Sequence, residues 1–264
     1  MKTSMLYAVR RRRGHASLSA LMMAVATSLL LQADGKAENA SHLQQLLISR
    51  ECIGCDLQGA VLQGASLAEA RLARASLQGA NLREAVLSGS DLRAVNLTGA
   101  DLAAATLTDA DLSEAILVGS QLVGANLRKA TFLQATLQEA DLSGAIAQES
   151  VFREANLTAA NLTAISLVQA NVGRATLASA NLYQADLFAA SLVSVDFTDA
   201  NLSEADLSNT RLIRATLDGA DLTDANLVDA KTDGSTFEGS IFCRTIMPDG
   251  AQNDRDCPQS LESH

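Results

Sequence analysis

Two cysteines separated by two residues, Cys52 and Cys55, are the part of the sequence that most resembles a reactive site. Such a pair serves thiol–disulfide exchange in thioredoxin-like proteins, where it lies in a βαβ setting, and it supplies half of many zinc sites. No βαβ pattern surrounds this pair, and His42 is the one further ligand nearby, whereas a structural zinc site needs four ligands. The role of the pair therefore depends on the elements that position it.

Histidine, the usual proton shuttle, occurs at His15, His42 and His264, and none of the three lies in the long central part of the chain. Glycines are numerous, but their spacing does not form a phosphate-binding loop. The sequence therefore predicts that the central region has no catalytic residue and is not an enzyme.

The central region is a repeat of five residues. An apolar residue recurs at nearly every fifth position from Leu57 to Phe242 without an insertion, which gives 38 repeats, 30 with Leu at this central position and 28 with Ala two residues before it. A period of five fits neither an α-helix, where the Leu residues would spiral around the axis, nor a straight strand, where they would alternate between faces. The chain must therefore turn once per repeat.

Two other positions of the repeat predict how it turns. Glycine often lies two residues after the central position, where it can adopt a positive φ without strain. Asp or Asn often lies just before the central position, where a short polar side chain can bond neighbouring backbone groups at a bend.

The runs Ala80-Asn81-Leu82 and Ala100-Asp101-Leu102, repeated at Ala180 and Ala220, resemble the A(D/N)LXX signature of the pentapeptide-repeat family. The resemblance covers residues 56–242 and implies an all-β fold, a right-handed quadrilateral β-helix with four repeats, or twenty residues, per coil. About 9.5 coils at a spacing of about 4.8 Å make a rod about 45 Å long. The region of Cys52 and Cys55 and the tail that follows Phe242 are similar to secreted cyanobacterial members of the family.

Both ends of an open solenoid expose core residues, so caps are expected. Residues 41–44 read as a capping box that opens a short helix, and Leu43, Leu46 and Leu47 give this helix one apolar face. We therefore predict an N-terminal cap of residues 38–55, with a helix that covers the first coil. The solenoid of residues 56–242 then follows, with a C-terminal cap or tail of residues 243–264.

The rod length implied by the resemblance limits how the four cysteines can pair. Cys52 and Cys55 lie at one end and Cys243 and Cys257 at the other, whereas bonded cysteines need Cα atoms within about 7 Å. Disulfides are therefore expected only within each end. For Cys52 and Cys55, a free or reactive thiol pair and a metal site stay open as alternatives.

The first 37 residues predict an export signal. Arg10 to Arg13 form a positive block, residues 16–31 form an apolar run, and the small residues Gly35 and Ala37 suit cleavage. An uncleaved anchor is the alternative, although the run contains four hydroxyl residues and a membrane span needs about 20 apolar residues. Export predicts the periplasm or the thylakoid lumen, with membrane contact only through this segment before cleavage.

The negative net charge of the chain bears on which kinds of partner it can bind. The formal charge is −10, and loss of residues 1–37 would make it −15. This balance argues against binding of nucleic acid, which needs a surplus of Lys and Arg. Carboxylates of the repeats occupy outward positions on a convex surface, so we expect no enclosed substrate, metal or cofactor site.

Charge is also distributed unevenly among the four expected sides. Three sides carry six acids each and at most two bases, whereas most bases lie on the side with central residues Leu72, Leu92 and every twentieth residue onward, which we call the arginine side. Its bases are Arg71, Arg74, Arg93, Arg153, Arg174, Arg211, Arg214 and Lys231. Two interpretations stay open: a docking surface for a protein, or chance combined with ion pairs such as Arg153 with Glu154.

A second candidate interface is a girdle of outward apolar residues. Tyr183, Phe188 and Val193 fall on three consecutive sides of one coil. Single exposed apolar side chains are common, so this pattern by itself is a weaker indication of an interface.

Three functions are compatible with these observations. The favoured hypothesis is a non-catalytic structural or protein-interaction rod outside the cytoplasm, with an unknown protein partner. The alternative, implied by the family resemblance, is an acidic rod that mimics DNA and acts on DNA gyrase or another DNA-binding protein. A thiol oxidoreductase that uses Cys52 and Cys55 is the third, and it depends on one motif in an unsuitable fold.

Overall fold

The computed structural model of the protein describes residues 37–258. All but the last residue of the predicted export signal 1–37 therefore lies outside the described residues, as do His15 and His264. Helix α1 is Ala37–Ser49. Strands β1, Thr245–Ile246, and β2, Gln252–Asn253, form an antiparallel pair near the end of the chain. Between α1 and β1 the chain coils with single-residue bridges as its regular contacts.

The bridges define the coil. Every fifth residue from Glu51 to Asn226 forms a parallel bridge with the residue twenty positions later, as in Glu51 with Arg71. Four bridged positions therefore recur in each coil of twenty residues, and each position belongs to one side of the solenoid.

A repeat in the middle of the solenoid leaves only one backbone N–H without a backbone acceptor. In the repeat of residues 81–85, Leu82 and Glu84 donate to Asp101 O and Ala103 O of the next coil. Asn81 donates to Ala60 O of the preceding coil, and Ala85 closes a turn onto Leu82 O. The remaining donor is the N–H of Arg83, which donates to Oδ1 of Asn81 at 3.1 Å. This contact explains the Asp or Asn before the central Leu, and it confirms the predicted backbone role of these side chains.

The turn requires a positive φ two residues after the central position. Glycine holds φ at +63° at Gly144, but Ala164, one coil later on the same side, adopts φ 54°, and Glu, Gln and Arg residues do so elsewhere. A single left-handed residue without glycine is unfavourable by about 1–2 kcal/mol. The regular ladder of neighbouring coils imposes this conformation whether or not the residue is glycine.

The interior consists of the central residues and the small residues two positions before them. Nearly all of these are fully buried, and no charged side chain is buried among the described residues. Buried hydroxyls are satisfied locally, as where Ser90 Oγ donates to Leu87 O at 2.7 Å. Where Phe replaces Leu, the rings of Phe132 and Phe152 stack across adjacent coils with centroids 4.5 Å apart. Phe197 and Phe242 are also buried at central positions, and Leu and Ala supply most of the remaining core.

The N-terminal end differs in two respects from the prediction. Ser41 does not open the helix, because α1 already includes Ala37 and the residues after it, among which Ala and Glu favour helix. The bridges begin at Glu51, five residues before the predicted solenoid boundary at Asp56. Cys52 and Cys55 thus belong to the first coil and not to a separate cap of 38–55, since a half-cystine is apolar enough to take the central position that Leu holds elsewhere.

Helix α1 is attached to this first coil. Its Leu43 and Leu46 are buried in the same core cluster as Leu57, and Leu47 packs against that cluster. His42 Nδ1 lies 3.3 Å from the backbone N of Asp56 and 3.2 Å from its O.

The C-terminal tail covers only part of the last coil. The regular register continues to Ile246, and the tail folds back so that Phe242 N–H donates to Asp256 Oδ2 at 2.9 Å. The guanidinium of Arg255 lies 4.9 Å from the centroid of the Phe242 ring. Phe237, the preceding central residue, stays only partly buried. The last coil is therefore better covered at Phe242 than at Phe237.

The matched residues Gly144 and Ala164 allow a test of the turn conformation. We expect Gly144→Ala to lower the free energy of unfolding by about 1 kcal/mol, because a Cβ is added at positive φ with no other atom within 4 Å. Ala164→Gly should raise it by up to about 1 kcal/mol, because relief of strain exceeds the added entropy of the unfolded chain. Urea unfolding followed by far-UV circular dichroism measures both changes. Equal stability of the two variants would contradict the strain that the φ angles indicate.

Candidate interaction surface

The structure places the predicted bases of the arginine side on one column of coils, because residues twenty apart are bridged. The arginines occupy three kinds of position in the repeat. Bridge positions hold Arg71 and Arg211, and the first residue of the turn is Arg93 or Arg153 in two other coils. The positive-φ residue is Arg74, Arg174 or Arg214. All these arginines are solvent-exposed. The side therefore presents guanidinium groups along the length of the rod.

Acids of the same side pair with most arginines of its first two thirds, although Arg74 forms no ion pair with another described residue. Arg71 pairs with Glu51 at 2.6 Å, which is an ion pair between adjacent coils. Arg93 binds Asp91 with two nitrogens, at 2.7 and 2.8 Å, and lies 3.8 Å from Asp111. These contacts support the ion-pair interpretation for this part of the arginine side.

A second cluster centres on Glu154. Its Oε1 accepts from Arg153 at 3.1 Å and from Arg174 at 3.4 Å, while its Oε2 accepts from Gln134 at 2.9 Å. These hydrogen bonds, first that from Gln134 and then that from Arg153, hold the pKa of Glu154 below its ordinary value. Asp91 likewise has a lowered pKa because of its hydrogen bond from Arg93. Both acids therefore stay charged at neutral pH.

The last third of the arginine side is different. Arg211, Arg214 and Lys231 are exposed and form no ion pair with another described residue. Half-buried Val193 and Ile213 lie among them. We call the surface from Gly173 to Lys231 on this side the basic strip. Cations beside apolar side chains are typical of surfaces that bind acidic proteins.

The predicted apolar girdle does not form one surface. Tyr183 and Phe188 lie on adjacent sides and Val193 on the next, so their side chains point in different directions around the rod. Tyr183 is half-buried and its hydroxyl donates to Glu204 at 3.0 Å, which raises the pKa of the phenol. Phe188 is 39% exposed. Only Val193 contributes to the basic strip.

Both expected disulfides are present, Cys52 with Cys55 and Cys243 with Cys257. Cys52 and Cys55 are buried beneath α1, with 0% and 5% of their surface exposed. A dithiol that exchanges with partners must be accessible, so this environment is unsuited to oxidoreductase chemistry. The described residues contain no group of His, Cys, Asp or Glu arranged to hold a metal ion.

One feature of the basic strip has no counterpart in the sequence-based prediction. Gly173 occupies the first turn position, where the other coils of the arginine side carry side chains such as Val193 and Ile213. It leaves a surface notch of about 260 Å³ lined by Arg153, Asn171, Gly173, Arg174, Ser191 and Val193. In the sequence, Gly173 stands out because it lies one residue after a central position, whereas the turn glycines lie two residues after it.

These observations define a class of protein: a solenoid of five-residue repeats with an exposed charged surface. Eight copies of the pentapeptide repeat family model match overlapping segments that together span residues 51–89 and 96–227. The chain therefore belongs to the pentapeptide repeat family, whose members form right-handed β-helices, and no enzyme family is indicated.

Solved structures of the family show further similarity. HetL, a pentapeptide repeat protein involved in regulation of heterocyst differentiation in the cyanobacterium Nostoc sp. strain PCC 7120, is 31% identical over 80% of this chain and 97% of its own, with a TM-score of 0.45. A pentapeptide repeat protein of the Arabidopsis thaliana thylakoid lumen is 29% identical over 36% of this chain and 66% of its own, with a TM-score of 0.25. QnrB1, a plasmid-mediated fluoroquinolone resistance protein, is 20% identical over 72% of this chain and 90% of its own, with a TM-score of 0.33.

No curated protein matches this chain significantly in sequence. Among the described residues, no helix is both long enough and apolar enough to cross a membrane.

Acid should loosen the C-terminal end. Asp224 and Asp256 have lowered pKa values because of hydrogen bonds from Arg244 and Arg255, and Asp256 also accepts from Phe242 N–H. A carboxyl whose pKa is lowered by folding stabilises the fold above its unfolded pKa of about 4 and loses this effect as the pH falls through the folded value. We expect the hydrogen-exchange protection of the Phe242 amide, which donates to Asp256, to fall below about pH 4.

Asp256→Asn should lower this protection already at pH 7 and make it less dependent on pH. Glu114→Gln, which changes an acid of the arginine side far from the tail, is the control. Equal protection factors at pH 3 and pH 7 in the unaltered protein would contradict the proposed role of these carboxylates.

Proposed function

We propose that the protein is a non-catalytic interaction rod that binds a protein partner outside the cytoplasm through its basic strip. The observation that carries this proposal is the set of unpaired cations, Arg211, Arg214 and Lys231, on a chain whose formal charge is −10. Cations without internal partners can bind an acidic partner without first breaking an ion pair.

The proposal assigns a role to each part of the chain. Residues 1–37 act as an export signal, and α1 covers the N-terminal end of the core. The coils form a right-handed quadrilateral rod that presents the basic strip, and residues 243–264 close part of the other end. The burial of Leu43 and Leu46 supports the covering role of α1. No catalytic role is proposed, because the described acids lie on the outside of the rod.

Export is supported by two observations. The N-terminal sequence has the charge and apolar pattern of a signal peptide. The four cysteines form disulfides at both ends, and such bonds persist in oxidising compartments and are rare in the cytoplasm. The periplasm and the thylakoid lumen are the compartments that we propose.

An acidic DNA mimic that acts on gyrase or another DNA-binding protein is the second candidate. One observation favours it: the side with central residues Leu57, Leu77 and every twentieth residue onward carries no Lys or Arg. We call this the acidic side, and its acids are Asp56, Glu139, Asp196, Asp199, Asp218 and Glu238. This candidate requires the protein to meet DNA-binding enzymes in the cytoplasm, so its location distinguishes the two functions.

N-terminal sequencing of the protein from its native host tests the location. We expect the mature chain to begin near Glu38, after removal of the export signal. Recovery of a soluble cytoplasmic form that still begins at Met1 would contradict export and favour the DNA mimic.

Charge-changing variants test the surface. We expect the triple change Arg211→Gln, Arg214→Gln and Lys231→Gln to abolish capture of an acidic partner from the host compartment, and capture by the unaltered protein to weaken with salt. The variant should stay folded, because exposed substitutions usually alter stability by within about 0.5 kcal/mol.

Two matched controls separate this surface from its surroundings. Arg71→Gln with Arg93→Gln removes arginines that already have internal ion pairs, and Asp196→Asn, Asp199→Asn and Asp218→Asn alters the acidic side. Both control variants should retain capture. Loss of capture only in the acidic-side variant would exclude the basic strip as the docking surface.

A further inference from the structure

We propose that the notch at Gly173 is a subsite that receives one carboxylate side chain from an extended acidic segment of the protein partner. This inference rests on the proposed function of the basic strip, at whose N-terminal end the notch lies. It names the chemical group that the surface recognises.

Gly173 is unusual because the backbone does not require glycine there. Its φ is not in the left-handed region, unlike that of the glycines two residues after a central position. It is also the only glycine at the first turn position of the coils, whereas Val193 and Ile213 occupy that position in the next two coils. Glycine costs conformational entropy on folding, so a side chain would be expected unless the empty space has a use.

The positive charges that line the space at Gly173 suit an anion. Arg153 and Arg174 both line the notch, and their side chains are 50% and 70% exposed. Each guanidinium has five N–H donors and gives one hydrogen bond to Glu154, so donors remain for a second carboxylate. Glu154, held by Gln134, keeps both arginines at this place.

The other lining groups fit a peptide and not a free inorganic anion. Val193 supplies an apolar wall, and Ser191 and Asn171 are polar. Oδ1 of Asn171 accepts the Gly173 N–H at 3.2 Å, so this amide is not available to a ligand. A carboxylate on a flexible side chain could reach the arginines while its backbone and neighbours lie over Val193 and Ile213, toward Arg211 and Arg214.

The test is an NMR titration of the full mature protein with the peptide Ac-Val-Gly-Glu-Gly-Val-NH2. We expect saturable shifts of the Gly173 amide and of the Nε signals of Arg153 and Arg174. Gly173→Val, which fills the notch, and Arg174→Gln should each weaken binding by about tenfold, which is the effect of losing one charged hydrogen bond. The peptide with Gln in place of Glu should cause no such shifts.

Folding of the variants is checked by thermal melting. A Cβ at Gly173 would lie 3.3 Å from Asn171 Oδ1 and 3.8 Å from Arg153 Cγ, so Gly173→Ala serves as a milder filling change. Ala178→Val, at the same turn position on the acidic side, is the matched control and should leave binding unchanged.

The outcomes separate the notch from the proposed function. Shifts that stay the same in Gly173→Val, or that occur only near Arg211, Arg214 and Lys231, refute the notch while docking on the basic strip stands. Binding of inorganic phosphate but not of the peptide at these arginines also refutes the carboxylate subsite. If Gly173→Val loses the peptide shifts and also captures less partner, the subsite is supported.

Discussion

The twenty-residue register of the backbone ladder is the constraint on which the rest of the structure depends. Each repeat donates to the coil above and below, so every residue has a fixed neighbour twenty positions away in the chain. A single inserted residue would misalign all later pairs, which is why the period runs through the core without interruption. Core filling, turn conformation and surface charge all follow from this spacing.

The same register governs the electrostatics of the surface. Residues stacked on adjacent coils are close enough to pair or repel, as Glu51 with Arg71 and Asp91 with Asp111 show. Asp91 and Asp111 repel, and Arg93 lies near both and offsets the repulsion. Where no acid stands in such a position, as around Arg211, the cations stay available to a partner. Side-chain identity every twentieth residue therefore decides which parts of a side are neutral and which are charged.

Because the surface is regular, a binding site can arise on it where one side chain is missing. A solenoid of this kind is convex, and its side chains form even columns, so it does not enclose a pocket. Removing one side chain from a column, as at Gly173, creates a notch without disturbing the ladder. The tail departs from the repeat by adding contacts instead of removing a side chain. These contacts cover Phe242, whereas Phe237 stays less covered. Local departures from the repeat are therefore the places where specific contacts can form.

The sequence by itself determined the repeat, the interior and the role of the Asp or Asn before each central Leu, because these depend on local spacing and on the number of backbone donors per repeat. It also predicted which residues share the arginine side once four repeats per coil were assumed. It did not predict where α1 begins, because Ser41 resembles a cap although the preceding residues also favour helix. It placed Cys52 outside the coils, because the hydrophobic role of a half-cystine is not visible in a pattern of Leu.

Only the tertiary structure decided which arginines have partners. Arg174 reaches an acid twenty residues away, Arg153 reaches the same acid from the adjacent position, and Arg211 reaches none among the described residues. These differences depend on side-chain reach and direction between coils. The sequence places residues on a side, but the distance between their charged atoms is set by the packing of one coil on the next.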